Sequence, residues 1–485
     1  MVQNSQSKVP ELLDNNSVKN LPADVLQPAY DRAQVTNGIV HLGVGNFHRG
    51  HQAVYTDDVL GRGDLSWGIV GVSLRSPRIK NTLSSQDYLY SVNCRENDKE
   101  RFRVIGSISE VICAPEDPAR VLEELCRPEV KIVTLTITEK GYVWPEDQSP
   151  DWTPSNFEQS SASALLYIVE ALYTRQKRRL PLFTLLSCDN LVSNGKTLKS
   201  AVIKLAQRKD ARFAAELASS LACPCSMVDR IVPATSEADI SAATKKLALQ
   251  DQAAIVTEPF SQWVIEDDFP QGRPDWSLSD GVSFVTDVVP YEEMKLRLLN
   301  GAHTFIALYG ELTGRTYVNE VMQSKDAVAF LQRYWRNTIR SLRVDGDLNH
   351  YVEKLTERFK NESLLHKTSQ IVSDTSQKLP QRIIEPWNAL NNIGGETSLH
   401  SVIFAMWVEY LRGAELVDDP LESVLVPLAR EGDYAKIIKE VPAIMMQLQD
   451  NIRAIEELVS CCDTLHVSGI EKVVSEVLKD YEPIV

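Results

Sequence analysis

Within the stretch YEEMKLRLLNGAH (291–303), a lysine, an amide and an imidazole recur at Lys295, Asn300 and His303. In an α-helix with Lys295 at zero, His303 projects at ~80° and Asn300 at ~140°. The three polar groups then share one side, while Leu296, Leu298 and Leu299 point elsewhere and anchor the helix in a core. Converging on one cavity, such a set suits removal of a proton from an alcohol beside a hydride acceptor. A base at Lys295 has to be uncharged near neutral pH, well below the ~10.4 of a free lysine. Burial and the positive charge of an oxidised nicotinamide push that way, and a carboxylate at Glu292 pushes back, so this reading needs Glu292 to point away. The alternative is a surface i,i+3 pair between Glu292 and Lys295, with His303 serving packing alone.

A second set of residues suggests what accepts the hydride. Gly43-Val44-Gly45-Asn46-Phe47-His48 follows the first strand candidate and opens a helical stretch over 51–60. Glycines at a strand-to-helix turn let the backbone approach a pyrophosphate, and the helix start offers free N–H groups. The loop residues Gly43, Gly45, Asn46 and Phe47 are therefore candidate cofactor contacts, although His48 stands where a third glycine is usual. An ordinary βα turn is the competing reading. After the second strand candidate the chain reads GVSLRSPR (71–78), without the carboxylate that usually bonds the ribose 2′-hydroxyl of NAD. Arg75 and Arg78 are suited to a 2′-phosphate, or are solvated loop arginines; NAD(H) and NADP(H) both stay open.

The elements that must position these groups alternate in type. Apolar runs at 38–42, 67–72, 132–137, 182–187 and 254–257 read as strands, with helical patterns at 119–126, 162–176 and 197–207 between them. Buried strands rich in Val, Ile and Leu, alternating with helices, indicate an α/β fold with a parallel, doubly wound sheet of Rossmann type. After about residue 285 helical periodicity dominates, at 291–312, 327–341, 348–359 and 398–412. The expected organisation is a polar N-terminal arm (1–30), a Rossmann-type domain (31–285) and a mostly α-helical C-terminal domain (286–485).

Composition narrows the function classes. The chain has 485 residues, a net charge of −15 and 43% hydrophobic residues, which is ordinary globular usage. A net negative balance argues against nucleic acid as a partner. The polar start MVQNSQSKVPELLDNN lacks an apolar core for a signal peptide, and no apolar run is long enough to span a bilayer. Eight cysteines without a CxxC pair suggest reduced thiols in a cytoplasmic protein, with no metal site expected.

Several segments together resemble the polyol-specific long-chain dehydrogenase/reductase family, which includes mannitol 2-dehydrogenase and fructuronate reductase. They are IVHLGVGNFHRGHQAVYTDD (39–58), LTITEKGY (135–142), SCDN (187–190), MVDRIVP (227–233), EPFSQWVIEDDF (258–269), YEEMKLRLLNGAH (291–303) and SQKLPQR (376–382). The resemblance implies a nicotinamide-dependent, metal-independent oxidoreductase with Lys295 as general base and Asn190 and Asn300 stabilising the oxyanion. It implies further that His303 and Asp229 contact substrate, that Lys378 adds a cation, and that Glu139 lies beside the lysine on a proton path. A monomer or weak homodimer is expected.

The substrate expectation is a linear polyol or its ketose, of the mannitol/fructose type. Mannitol-specific members tend to carry an arginine eight residues before the lysine matched by Lys378, and Gln370 stands there instead. That departure favours a uronate, fructuronate or mannonate, whose carboxylate would meet Lys378 or Arg382. A catalytically silent nucleotide-binding sensor on the same scaffold is the reading from a different class.

Overall fold

The computed structural model describes residues 10–145, 148–160, 163–363, 365–448 and 451–479. Its contacts divide the chain into two units, with the break between Val288 and Val289.

Among its described residues the first unit is organised by eleven strands: β1 (Asn37–Leu42), β2 (Gly68–Ser73), β3 (Tyr90–Glu96), β4 (Lys99–Ile105), β5 (Ile108–Cys113), β6 (Ile132–Leu135), β7 (Thr184–Ser187), β8 (Ser226–Asp229), β9 (Ile255–Thr257), β10 (Gln262–Glu266) and β11 (Val282–Val285). Five of them form a parallel sheet in the order β5-β2-β1-β6-β7. Alternate residues feed opposite faces. Val40, Val70, Val133 and Leu185 pack with helix residues Val121, Leu165, Leu172 and Leu198. Ile39, Ile69, Ile132 and Leu186 pack on the other side with Ala53, Tyr55, Val59 and Trp263. Both faces being covered explains why the strands are apolar without alternation. The order reverses direction at β1, so the crevice between the C-terminal ends of β1 and β6 is the switch point where open α/β sheets bind ligands.

Two parts of this unit differ from the pattern-based reading. The run at 254–257 does form a strand, but β9 joins β3 and β4 in a separate three-stranded sheet. Periodicity reports that a segment is extended and buried, and says nothing about its partner. Residues 10–30 are also less arm-like than their polarity suggests. Leu13 and Val25 are buried against Phe102, Val104 and Leu247, and the Leu13 N–H donates to the Gln250 carbonyl at 2.9 Å.

The second unit is helical. Its main helices are Gly301–Thr313, Lys325–Ile339, Leu348–Lys360, Ser398–Gly413 and Ile452–Ser468. The helix Ser398–Gly413 is buried on nearly every side, as its almost continuous apolar sequence requires. Phe305 and Phe330 stack at 4.3 Å between the helices that carry them.

Candidate active site

In the first unit the candidate residues gather at the C-terminal edge of the parallel sheet. Gly43 closes the turn after β1 with φ +101°, and a Cβ there would lie 2.2 Å from the Thr136 carbonyl oxygen beyond β6. Only glycine permits this approach of the two strand ends. Gly45 is exposed, with no atom nearer than 3.9 Å to an added Cβ, so space for a ligand opens above it. It precedes the short helix Asn46–Gly50. Asn46 is partly committed to the protein, donating to the Pro233 carbonyl at 3.2 Å and accepting from Arg49 at 2.8 Å. Phe47 stacks on His51 at 4.6 Å.

His48, the residue in place of a third glycine, is fully buried and stacks face to face on His41 of β1 at 3.5 Å. His41 bonds Thr134 Oγ1 at 2.7 Å and the Gly43 carbonyl at 3.2 Å. Burial pushes the His41 imidazole down to about 3 and, aided by the charges of its neighbours, holds His48 well below the usual histidine range. Two uncharged rings thus do the spacing that a glycine does elsewhere. The close helix contact moves to Gly50, where a Cβ would meet Thr257 and Val232 at 3.0 Å.

Arg75 and Arg78 are exposed just past β2. Glu139 is exposed at the start of a 3₁₀ turn (Glu139–Tyr142) beyond β6, and Asn190 is exposed three residues past the end of β7. Asp229 is buried at the end of β8, which belongs to the β11-β10-β8 sheet.

In the second unit the YEEMKLRLLNGAH segment is not a uniform α-helix. Val289–Met294 is α-helical, Lys295–Asn300 is a π-turn, and the α-helix resumes at Gly301. The Gly301 N–H bonds the Leu296 carbonyl, five residues back. Residues five apart in a π-turn lie nearly over one another. Lys295 and Asn300 therefore align more closely than the ~140° of an α-helical projection. The widening has a packing cause. A Cβ at Gly301 would lie 2.1 Å from the Tyr334 hydroxyl and 3.2 Å from the Arg382 carbonyl oxygen. Tyr334 and Trp335 donate to the carbonyls of Arg297 and Leu298 at 2.7 and 2.8 Å, supplying outside partners within the widened turn.

Lys295, Asn300 and His303 are 8%, 7% and 9% exposed, and Glu292 is 6% exposed, so all four side chains are buried. Burial, and after it the neighbouring His366, Arg358, Arg382 and Lys295, lowers the His303 imidazole well below the usual histidine range. Its Nε2 has no hydrogen-bond partner among the described residues. Its ring packs on Phe359 at 4.6 Å and edge-on to His366 at 5.7 Å.

A second π-turn, Pro380–Ile384, follows the lysine of SQKLPQR. Proline inside a helix removes a backbone donor and crowds the preceding turn, which a wider turn accommodates. It carries Arg382, whose guanidinium lies 3.5 Å from Thr304 Oγ1 and is pushed down to about 10 by burial. Lys378 donates to the carbonyls of Ile371 and Ser373 at 3.3 and 2.5 Å. Burial, then the charge of Arg382, holds its ammonium below the usual lysine value.

Residue types alone did not single out several supporting groups. Asp189, His41 and Arg230 hold the first unit's edge; His366 and Phe359 flank His303. SCDN contained the available hint, since a carboxylate beside an amide at a strand end is rarely idle. Among the described residues no cluster of three or more His, Cys, Asp or Glu is arranged to hold a metal, and no helix is long and apolar enough to cross a membrane.

A parallel sheet with a glycine turn at its switch point, followed by a helical unit bearing a buried lysine and amide, defines a dinucleotide-dependent dehydrogenase. The chain belongs to the mannitol dehydrogenase family: residues 37–278 match its Rossmann domain and residues 287–466 its C-terminal domain. It is an oxidoreductase of that family, and its first unit is the dinucleotide-binding domain. It is 40% identical over 411 residues to D-mannonate oxidoreductase of Escherichia coli, covering 82% of this chain and 84% of that one. Mannitol 2-dehydrogenase of Aspergillus oryzae is 33% identical over 494 residues, covering 96% and 98%. The structure of Pseudomonas fluorescens mannitol 2-dehydrogenase with NAD and D-mannitol superposes with a TM-score of 0.83 at 32% identity, covering 96% and 99%.

Proposed function

We propose that this protein interconverts a secondary alcohol of a linear polyol and the corresponding ketose, mannitol and fructose being the reference pair, with NAD(H). The observation that carries this reading is the π-turn that aligns buried Lys295 and Asn300, one turn ahead of an uncharged His303 with an unpartnered nitrogen. Lys295, uncharged, takes the hydroxyl proton, and in the reverse direction returns it to the ketose. Asn190 and Asn300 donate hydrogen bonds to the alkoxide, a stabilisation present before the charge develops. His303 orients the neighbouring hydroxyl through Nε2, and Asp229 bonds another. Glu139, exposed at the sheet edge, passes the proton to solvent.

Bound nicotinamide supplies the hydride acceptor. The groups that would hold the dinucleotide are the turn Gly43–Gly45 with Asn46 and Phe47, and the open space above Gly45 fits that role. Arg75 and Arg78, exposed past β2 with no carboxylate between them, fit NADP(H) as a second cofactor. Eight cysteines with no CxxC pair suit a reducing cytoplasm, and the protein acts as a monomer or weak homodimer.

A second reading is supported by the half-buried Arg382 beside Lys378 and by the likeness to D-mannonate oxidoreductase. Here the substrate is fructuronate or mannonate, and its carboxylate meets Arg382 or Lys378. The deciding experiment follows NADH and NADPH oxidation with fructose and with fructuronate offered separately. Faster turnover of fructose supports the polyol; a preference for fructuronate that Arg382→Gln abolishes supports the uronate. Turnover of neither, nor of other polyols, would sink both.

A further inference from the structure

Beyond the end of β7, Asp189 is 9% exposed and its carboxylate accepts three hydrogen bonds from a neighbouring loop. Oδ2 accepts from the Ile137 N–H at 3.0 Å and the Tyr142 hydroxyl at 2.6 Å, and Oδ1 accepts from the Thr138 N–H at 2.9 Å. The protons around it can be assigned. Tyr142 has one hydroxyl proton and gives it to Asp189, so Ser187 Oγ, 2.6 Å away, donates to Tyr142. Ser187 Oγ in turn accepts from the Asp189 N–H at 3.2 Å. The ring closes with every donor used. The backbone of Asp189 is held too: its carbonyl accepts from Asn194 Nδ2 at 3.1 Å and from the Leu191 N–H at 2.9 Å.

The ring acts on an unfavourable piece of backbone. Thr138 sits at φ +65° and ψ 166°, a region that a β-branched residue seldom occupies. That conformation turns the chain so that Glu139 opens the 3₁₀ turn and Tyr142 returns to Asp189. Strain of this kind persists only where surrounding bonds over-determine it. The two residues that follow the clamped positions directly are Glu139, after Thr138, and Asn190, after Asp189. Both are exposed.

We propose that Asp189 is a positioning residue: its buried carboxylate locks the ends of β6 and β7 together and thereby sets Asn190 and Glu139 in register for catalysis. This rests on the proposed roles of Asn190 and Glu139. A site residue on a loop keeps its geometry only through such a supporting shell. Asparagine at 189 has one acceptor oxygen for two backbone N–H donors and turns an NH₂ toward donors, so Asp189→Asn opens the clamp at nearly constant volume.

The test is a double-mutant cycle on the full-length enzyme, with kcat, NADH affinity by fluorescence titration and thermal midpoint measured for each variant. Asp189→Asn should lower kcat at least tenfold with NADH affinity changed less than threefold. Combined with Asn190→Ala it should cost little beyond Asn190→Ala alone, because both changes remove one interaction. Tyr142→Phe, which deletes one of the three donors, should give a smaller loss of the same kind; it replaces Asp189→Asn in the cycle if that variant fails to fold. Additive losses in the cycle, or an Asp189→Asn enzyme of undiminished kcat, would overturn the proposal. If Asn190→Ala and Glu139→Ala both turn over normally, the catalytic reading fails first.

Discussion

The two ends of the candidate machinery are held by opposite means. In the first unit Gly45, Glu139 and Asn190 are exposed at strand ends, and buried neighbours such as the His41–His48 stack and Asp189 fix the backbone that bears them. In the second unit Lys295, Asn300 and His303 are themselves buried, held by a widened helical turn that Tyr334 and Trp335 brace. A dinucleotide needs a shallow, open edge, whereas a lysine that works as a base needs desolvation. The first unit fixes geometry and leaves Gly45, Glu139 and Asn190 wet; the second dries Lys295, Asn300 and His303, which lowers the His303 imidazole.

The hardest way to break this contrast is at the dry end. Lys295→Ala should lower kcat by ~10²–10⁴-fold, the range for a lost general base, with NADH affinity retained. Steady-state rates and a fluorescence titration measure the two; loss of NADH binding together with turnover would show that the units do not divide the work. Asn300→Ala removes an oxyanion donor from the same π-turn and should cost ~2.7–4 kcal/mol in the barrier, again read as kcat.

At the wet end the pattern should invert. Gly43→Ala places a Cβ 2.2 Å from the Thr136 carbonyl at φ +101°. Strain of ~1–3 kcal/mol should appear as weaker NADH binding, roughly tenfold, with kcat at saturating cofactor little changed. A fall in kcat at unchanged affinity would contradict the assignment of the turn to the cofactor.

The mildest effect should be shared by both units. His41 and His400, at about 3, and His48 and His303, well below the usual value, stay uncharged when folded. Unfolded histidines bind protons below ~6.5, so stability is complete above that pH and falls as the pH drops toward the folded values. Urea melts at pH 7, 6 and 5 read the slope, and a midpoint that does not move between pH 7 and 5 would refute the neutral assignment.

Much of the plan was readable in the residues. Apolar runs at 38–42, 67–72, 132–137 and 182–187 became β1, β2, β6 and β7, because strands buried on both faces must be apolar throughout. GVG before a helix and KLRLLNGAH pointed to the candidate cofactor turn and the candidate catalytic helix. The spacing of Lys295 and Asn300 was misjudged, since an α-helical projection assumes four-residue closure. The π-turn receives hydrogen bonds from Tyr334 and Trp335, more than thirty residues away.

The order of apolar and polar residues was thus enough to mark β1, β2, β6, β7 and β9 as strands and the second unit as helical, because burial and periodicity are local demands; β3, β4, β5, β8, β10 and β11 were not read from it. Packing alone settled that β9 leaves the main sheet, that two histidines stack where a glycine is usual, and that Asp189 clasps a strained Thr138. Each of these depends on a partner remote in the chain, and a one-dimensional pattern carries no term for who that partner is.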